Sequence, residues 1–266
     1  MNNHPCFDAR CIARYGRLHI PVAAECNISC NYCSRRYDCQ NESRPGVTSR
    51  LLSLMEVEQY LSHGKDYIDR AISVLGIAGP GDPMATPINT LETLHLVHSL
   101  FPDKLLCLST NGLNLCPYID KLVSTGVSHV TVTINAVDPY IGKQIYSWVD
   151  FHGVKLHGIE GAELLLRNQL DSLARLKDNG IVVKVNTVVV PDVNDRHVVD
   201  IARVIAGYKV DLHNCIAMMP VRGTEFESIK EPSAKVMNQI RREASHYIPQ
   251  SYHCNRCRAD SCGLLK

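Results

Sequence analysis

An α/β fold built on a parallel sheet is the fold class this sequence predicts. Six β-rich runs alternate with six helical patterns, and alternation of that kind buries a parallel sheet on both faces. The 266 residues suit one large domain, since single barrel domains run to roughly 250 residues. No linker, internal repeat or low-complexity tract divides the chain.

The strands read in order. Residues 18–24 form the first, 72–77 the second, 105–109 the third and 129–134 the fourth. The run 181–190 is the clearest, being almost entirely β-branched. The run 215–219 is the sixth, and Pro220 ends it. Helical patterns cover 55–68, 90–100, 118–124, 161–178, 196–206 and 233–246. In the fourth, Leu164, Leu165, Asn168, Leu173 and Leu176 recur near the helical period, and Asn179-Gly180 supplies the stop. Periodicity does not choose between a doubly wound sheet and an open or partial (β/α) barrel. Two cysteine-bearing pieces flank the 18–248 core of what reads as one domain: an arm over 1–17 and a tail over 249–266.

Composition excludes several classes. Twenty-eight basic and 27 acidic residues leave a formal net charge of +1, so no polyanion-binding surface is expected and nucleic acid is a poor partner. Arg35-Arg36 is singled out only because it follows a cysteine cluster. No run approaches the ~20 apolar residues of a membrane span, and the first residues lack a basic-then-apolar leader. A cytoplasmic protein with no membrane association is expected. In that compartment 12 cysteines point to metal ligation or redox chemistry rather than disulfides.

Cys26-Asn27-Ile28-Ser29-Cys30-Asn31-Tyr32-Cys33 directly follows the first strand. Thiolates at this spacing can serve one cubane cluster, and three thiolates for four irons leave one iron open. That iron can chelate the amino and carboxylate groups of S-adenosylmethionine (SAM). The competing reading is zinc, which usually wants four ligands, often as two C-x-x-C pairs.

The trio, its place after strand one and the six strand–helix units resemble the radical SAM superfamily over residues 18–221. The resemblance implies a TIM-like partial (β/α)6 barrel of the radical SAM type, with cluster-binding arms at both ends. It implies a [4Fe–4S] cluster on Cys26, Cys30 and Cys33, and SAM as cofactor. Matching SAM contacts are Tyr32, the turn Gly79-Pro80-Gly81-Asp82, Ser109 and Asn111 after strand three, Asn135, Asn186 and Met218. In that turn the glycines would let the backbone approach SAM, and Asp82 would meet its ammonium.

A narrower set spans nearly the whole chain: His4-Pro5-Cys6, the run 35–46, Ala78-Gly79-Pro80-Gly81-Asp82-Pro83, Ser109-Thr110-Asn111-Gly112, Gly158-Ile159-Glu160-Gly161, the run 186–191 and Cys254-Asn255-Arg256-Cys257-Arg258-Ala259-Asp260. This set resembles the NifB family of nitrogenase cofactor maturases. The resemblance implies fusion of two [4Fe–4S] substrate clusters, with a carbide derived from a SAM methyl group and an added sulfur. The product is NifB-co, the eight-iron precursor of the nitrogenase cofactor. It offers His4, Cys6, Cys39, Glu42, Cys107, Cys254 and Cys257 as further iron ligands. Glu42 sits in a mobile-looking loop, where it would hold or gate an iron, and Cys254 with Cys257 is expected to hold one cluster. Two partners are implied: an iron–sulfur cluster donor and a carrier protein for the product. Some family members carry a further C-terminal domain, and the stand-alone form is expected here.

Alternatives stay open by residue. Cys107 can be a core thiol. Cys254 and Cys257 can bind zinc with His253 or Cys262. Cys11, Cys116 and Cys215 fall outside the matched motifs and read as structural. At the level of function, the alternatives are a radical SAM enzyme with one auxiliary cluster, acting on a peptide or small organic substrate, and a non-catalytic iron–sulfur or zinc scaffold.

Overall fold

The computed structural model describes residues 3–254 and 257–265; Asn255 and Arg256 of the tail motif lie outside them. The strands are β1 (Gly16–His19), β2 (Ile28–Cys30), β3 (Ile72–Ile77), β4 (Leu105–Thr110), β5 (Val127–Thr133), β6 (Tyr146–Phe151), β7 (Val154–Leu156), β8 (Val182–Val189), β9 (Leu212–Ala217) and β10 (Cys262–Gly263). The helices are α1 (Leu54–His63), α2 (Lys65–Ala71), α3 (Pro87–Leu100), α4 (Ile119–Ser124), α5 (Pro139–Ile145), α6 (Gly158–Asp178), α7 (Val198–Gly207) and α8 (Ala234–Ala244).

Strand order answers what periodicity left open. The parallel sheet runs β1-β3-β4-β5-β8-β9. A doubly wound sheet reverses direction part-way. Here each strand is added beside the last in one direction, so right-handed crossovers place the helices on one face. The sheet curls into an open half barrel, and the expected α/β class and six core strands are present.

Boundaries moved where local chemistry intervened. The first strand stops at His19 rather than at residue 24, just before Pro21, which has no N–H for the ladder. The expected helix 55–68 is two helices with Gly64 between them. α1 opens with a capping box in which Ser53 and Glu56 exchange hydrogen bonds.

The two faces of the sheet differ in chemistry. Leu106, Leu108, Val130, Val132, Val183 and Val185 pack outward with Leu94, Leu173, Leu176 and Ile201 of the helices. The alternate residues face inward and are polar. Register places Cys107 beside His129, Thr131 between Ser109 and Lys184, and Asn186 between Thr133 and Asn214. Barrel interiors are normally filled with branched apolar side chains, so this polar lining marks the interior as a site.

Two features had no sequence expectation. A small sheet β2-β6-β7 braces the trio loop, with Ile28 paired to Val149 and Cys30 to Tyr146. β10 of the tail pairs antiparallel with β1, Leu18 against Cys262. Among the described residues, no helix is long and apolar enough to cross a membrane.

One buried group predicts a pH response. His213 in β9 is fully buried, and its ring meets Thr187 Oγ1 at 3.0 Å and Gln250 Nε2 at 3.2 Å. Burial pushes its pKa down to about 3, against about 6.5 for an unfolded histidine. Below pH 6.5 the unfolded chain therefore takes up a proton that the folded chain refuses. Stability from this residue is complete above pH 6.5 and falls by about 1.4 kcal/mol per pH unit towards pH 3. His213→Gln is expected to lose about 2 kcal/mol less than the parent between pH 6.5 and pH 5 in urea unfolding of the metal-free chain. Equal losses in the two proteins would refute this.

Candidate active site

Cys26 precedes β2, Cys30 ends it and Cys33 follows it, and this segment lines a cavity of about 100 Å³. Cys26, Cys30 and Cys33 contribute thiols to its wall, and Cys39, Asp82, Asn111 and Arg35 border it. Burial raises each thiol's pKa, that of Cys26 to about 12. Such thiols stay protonated until a metal takes them as thiolates. Among the described residues, no three His, Cys, Asp or Glu side chains gather round one point as a single-ion site requires. A cubane asks for less, because each iron takes its own thiolate. Asn27 adds a buried amide Nδ2 with no partner. This donor set fits the cluster that the trio spacing implies.

The glycine-rich turn braces the trio loop. Gly81 N–H donates to Ala23 O (2.6 Å) and Asp82 N–H to Glu25 O (2.7 Å). A Cβ at Gly81 would lie 2.0 Å from Glu25 O, so only glycine lets these two backbones cross. Arg35 donates to Ala24 O (2.7 Å) and Pro80 O (3.3 Å) from the other side. The carboxylate of Asp82 accepts from Met84 N–H, Thr110 Oγ1 and Asn111 N–H. Burial raises its pKa to about 6, against those three hydrogen bonds.

The loop beyond the trio is tied down, contrary to the mobile reading. Gln40 Nε2 donates to Tyr32 O (2.7 Å) and Met219 O (2.9 Å), while its Oε1 accepts from Met219 N–H (3.1 Å). Asn186 donates to Asn41 O and to Glu42 Oε1, both at 2.7 Å, and accepts from Asn214. Glu42 is thereby aimed inward, and burial raises its pKa to about 7.

A second cavity, of about 40 Å³, lies inside the barrel. His4, Cys6, Glu42, Cys107, Cys254 and Cys257 all line it. These residues come from the N-terminal arm, the loop after the trio, β4 and the tail. Cys107 has space because its neighbour in register is Gly76, where a Cβ would sit 2.6 Å from its sulfur. Arg17, on β1, donates to Cys257 Sγ (3.0 Å) and to the carbonyls of Gly263 and Leu264. His4 is buried against Phe7 and His129, with ring centroids 4.6 and 4.5 Å away. Cys6 N–H donates to its Nδ1, which leaves Nε2 as the protonated nitrogen, buried and without a partner. Iron ligation through Nε2 would require that bond to be given up.

The expected SAM contacts divide in two. Asp82 and Asn111 border the trio cavity, and Ser109 borders the second. Tyr32, Asn135 and Met218 are fully buried and line neither cavity. Tyr32 OH bridges Asn41 Oδ1 and Asn135 Nδ2, each at 2.7 Å, and Met218 packs with Tyr32, Leu113 and Val188. Cys262 lies in β10 beside the Tyr67 hydroxyl and lines neither cavity. Cys215 is buried against Met237 and Ile240, and Cys116 faces Arg175.

Sequence reading passed over Gln40, Arg17 and Lys184. Lys184 had a signal: a charged residue inside the most β-branched run, on the parity of Asn186. Gln40 and Arg17 had none, because their partners are 179 and 240 residues away.

The profile of the radical SAM superfamily matches residues 20–205. The chain is 48% identical over 265 residues to the FeMo cofactor biosynthesis protein NifB of Chlorobaculum tepidum, covering 100% of this chain and 62% of that protein. It is 42% identical to the protein of that name from Bradyrhizobium diazoefficiens, covering 100% and 54%. Against that of Methanocaldococcus jannaschii it is 42% identical, covering 99% and 86%. The chain thus spans just over half the length of the first two relatives. Among solved structures, methylornithine synthase (PylB) superposes with TM-score 0.57 at 15% identity, over 92% of this chain and 74% of that one. Native anSMEcpe with bound AdoMet superposes with TM-score 0.60 at 15% identity, over 89% and 64%. At such identity these two establish the fold alone.

Proposed function

The chain belongs to the radical SAM superfamily and, within it, to the NifB family of FeMo cofactor biosynthesis proteins, and from that premise we propose that it builds the eight-iron precursor of the nitrogenase cofactor. Its substrates are two [4Fe–4S] clusters, fused around a carbon from a SAM methyl group with one added sulfur. Its partners are a cluster donor and a carrier that takes the product.

The observation that carries this reading is the pair of cavities joined by one loop. Cys26, Cys30 and Cys33 line one; His4, Cys6, Glu42, Cys107, Cys254 and Cys257 line the other. Cys39 and Glu42, three residues apart, reach one each. When bound, the trio's cluster supplies the electron that cleaves SAM to methionine and a 5′-deoxyadenosyl radical. The protein's own groups hold and exclude. Gln40 and Asn186 fix the shared loop, and the buried walls keep water from the reacting centre. The mixed Cys/His/Glu set suits a substrate cluster that must later leave, since an all-thiolate site would be harder to empty.

Anaerobic reconstitution with iron counting is expected to give about three four-iron clusters per chain. Incubation with SAM and a reductant is expected to yield both S-adenosylhomocysteine and 5′-deoxyadenosine without an organic substrate. A single cluster per chain, or 5′-deoxyadenosine alone, would return the chain to the reading of a radical SAM enzyme acting on an organic molecule.

A further inference from the structure

Lys184 is an unusual residue for the middle of a core strand. It lies on the inner face of β8, is 4% exposed, and lines the second cavity with Cys6, Cys107, Cys254, Cys257 and Glu42. Its ammonium stands 5.0 Å above the Phe7 ring, and among the described residues it forms no ion pair. A buried ammonium without a close counter-ion is costly, and such charges are kept in cores only where an anion answers them. Glu42 is the one carboxylate among the residues lining the cavity, and its Oε1 is already taken by Asn186. The cavity thus holds a buried cation and, among the described residues, no side-chain anion at ion-pair distance from it. A thiolate-bound iron–sulfur cluster is an anion that would answer it.

We propose that Lys184 is a binding residue for the iron–sulfur substrate: its ammonium supplies the buried positive charge that holds an anionic [4Fe–4S] cluster among Cys6, Cys107, Cys254 and Cys257. The inference rests on the maturase reading above. Arg17, already on Cys257 Sγ, fixes the position of the tail thiol, whereas Lys184 faces the cavity and acts on what enters it. Phe7 beneath the ammonium adds a modest cation–π attraction.

The test uses the full chain carrying C26A, C30A and C33A, so that any cluster present belongs to the second cavity. After anaerobic reconstitution with ferrous iron and sulfide, three quantities are read: iron per chain, the rate of iron loss to a chelator, and the cluster's reduction potential by EPR titration. Lys184→Met in this background is expected to weaken iron retention by about 10- to 100-fold. It is also expected to move the potential of the remaining cluster to more negative values, because the reduced cluster has lost a neighbouring positive charge. Lys184→Arg keeps the charge and is expected to restore both. A merely structural lysine would move neither quantity, since Met fills the same volume; should the Met variant not fold, Lys184→Gln carries the same expectation. Unchanged retention and potential in the neutral variants overturn this inference alone. Absence of iron with Lys184 intact overturns the maturase reading along with it.

Discussion

Cys30→Ser abolishes SAM cleavage: 5′-deoxyadenosine formation is expected to fall by more than about 100-fold, since loss of even an outer-shell partner of a metal site costs about 10- to 100-fold. Cys30 is the most enclosed of the trio, at 6% exposed, and sits in β2 with its backbone paired to Tyr146. Serine matches the thiol closely in size, so the strand pairing and the apolar packing against Ile145 and Val149 persist. What is lost is a soft sulfur donor, which a buried hydroxyl does not replace. Iron is expected to drop by the content of one cluster, with the remainder held by the second cavity. Liquid chromatography of 5′-deoxyadenosine and EPR of the dithionite-reduced protein read the two effects. A variant that cleaves SAM at the parent rate would show that the trio is not the cleavage site.

Gly81→Ala has the second largest expected effect, for a steric reason. The new Cβ would stand 2.0 Å from Glu25 O and 2.7 Å from its carbon. Both are backbone atoms, so neither can rotate away. Either the turn or the trio loop must shift, and with it the Asp82 N–H bond to Glu25 O that sets the loop's distance from β3. Overpacking of this kind costs about 1–3 kcal/mol. The displaced loop also moves Cys26, one residue from the clash. Gly81→Ala is expected to unfold at lower urea concentration and to retain at least about 10-fold less iron at the trio, as for the loss of a supporting contact. Gly207→Ala is the control, because a Cβ there meets nothing within 4 Å and the backbone is not in the left-handed region. Iron retention equal to that of the parent would show that the close crossing does not position the cluster loop.

The candidate site was partly legible in the sequence, for a reason visible in particular residues. Cys26, Cys30 and Cys33 are close in sequence, so their spacing carried the geometry. His4, Cys6, Cys107, Cys254 and Cys257 are far apart in sequence, and only their resemblance to family motifs grouped them. The structure lines one cavity with all five and with Glu42. It gives Tyr32, Asn135 and Met218 another place. They are fully buried and line neither cavity, and Asn135 Oδ1 also takes the Val188 N–H at 2.8 Å. Matching a position at a strand end does not say whether its side chain reaches the surface or props up the one that does. The small sheet β2-β6-β7 was missed because its strands are short and mix Ser147, Asp150 and Lys155 with apolar residues, leaving no long period to read.

What the sequence determined by itself was local and periodic. It settled that six strands alternate with helices, that three thiols fall within one eight-residue segment, and that Gly180 ends the longest helix in a left-handed conformation (φ +72°). Those properties depend on neighbours a few residues apart, where covalent geometry transmits the information. Tertiary structure alone decided the direction in which strands were added, and so chose a half barrel over a doubly wound sheet. It also turned the polar parity of β4, β5 and β8 into the lining of one interior, and brought arm and tail to the same thiols. Each of these depends on pairings across many tens of residues. Such pairings are set by packing and register, which no spacing along the chain records.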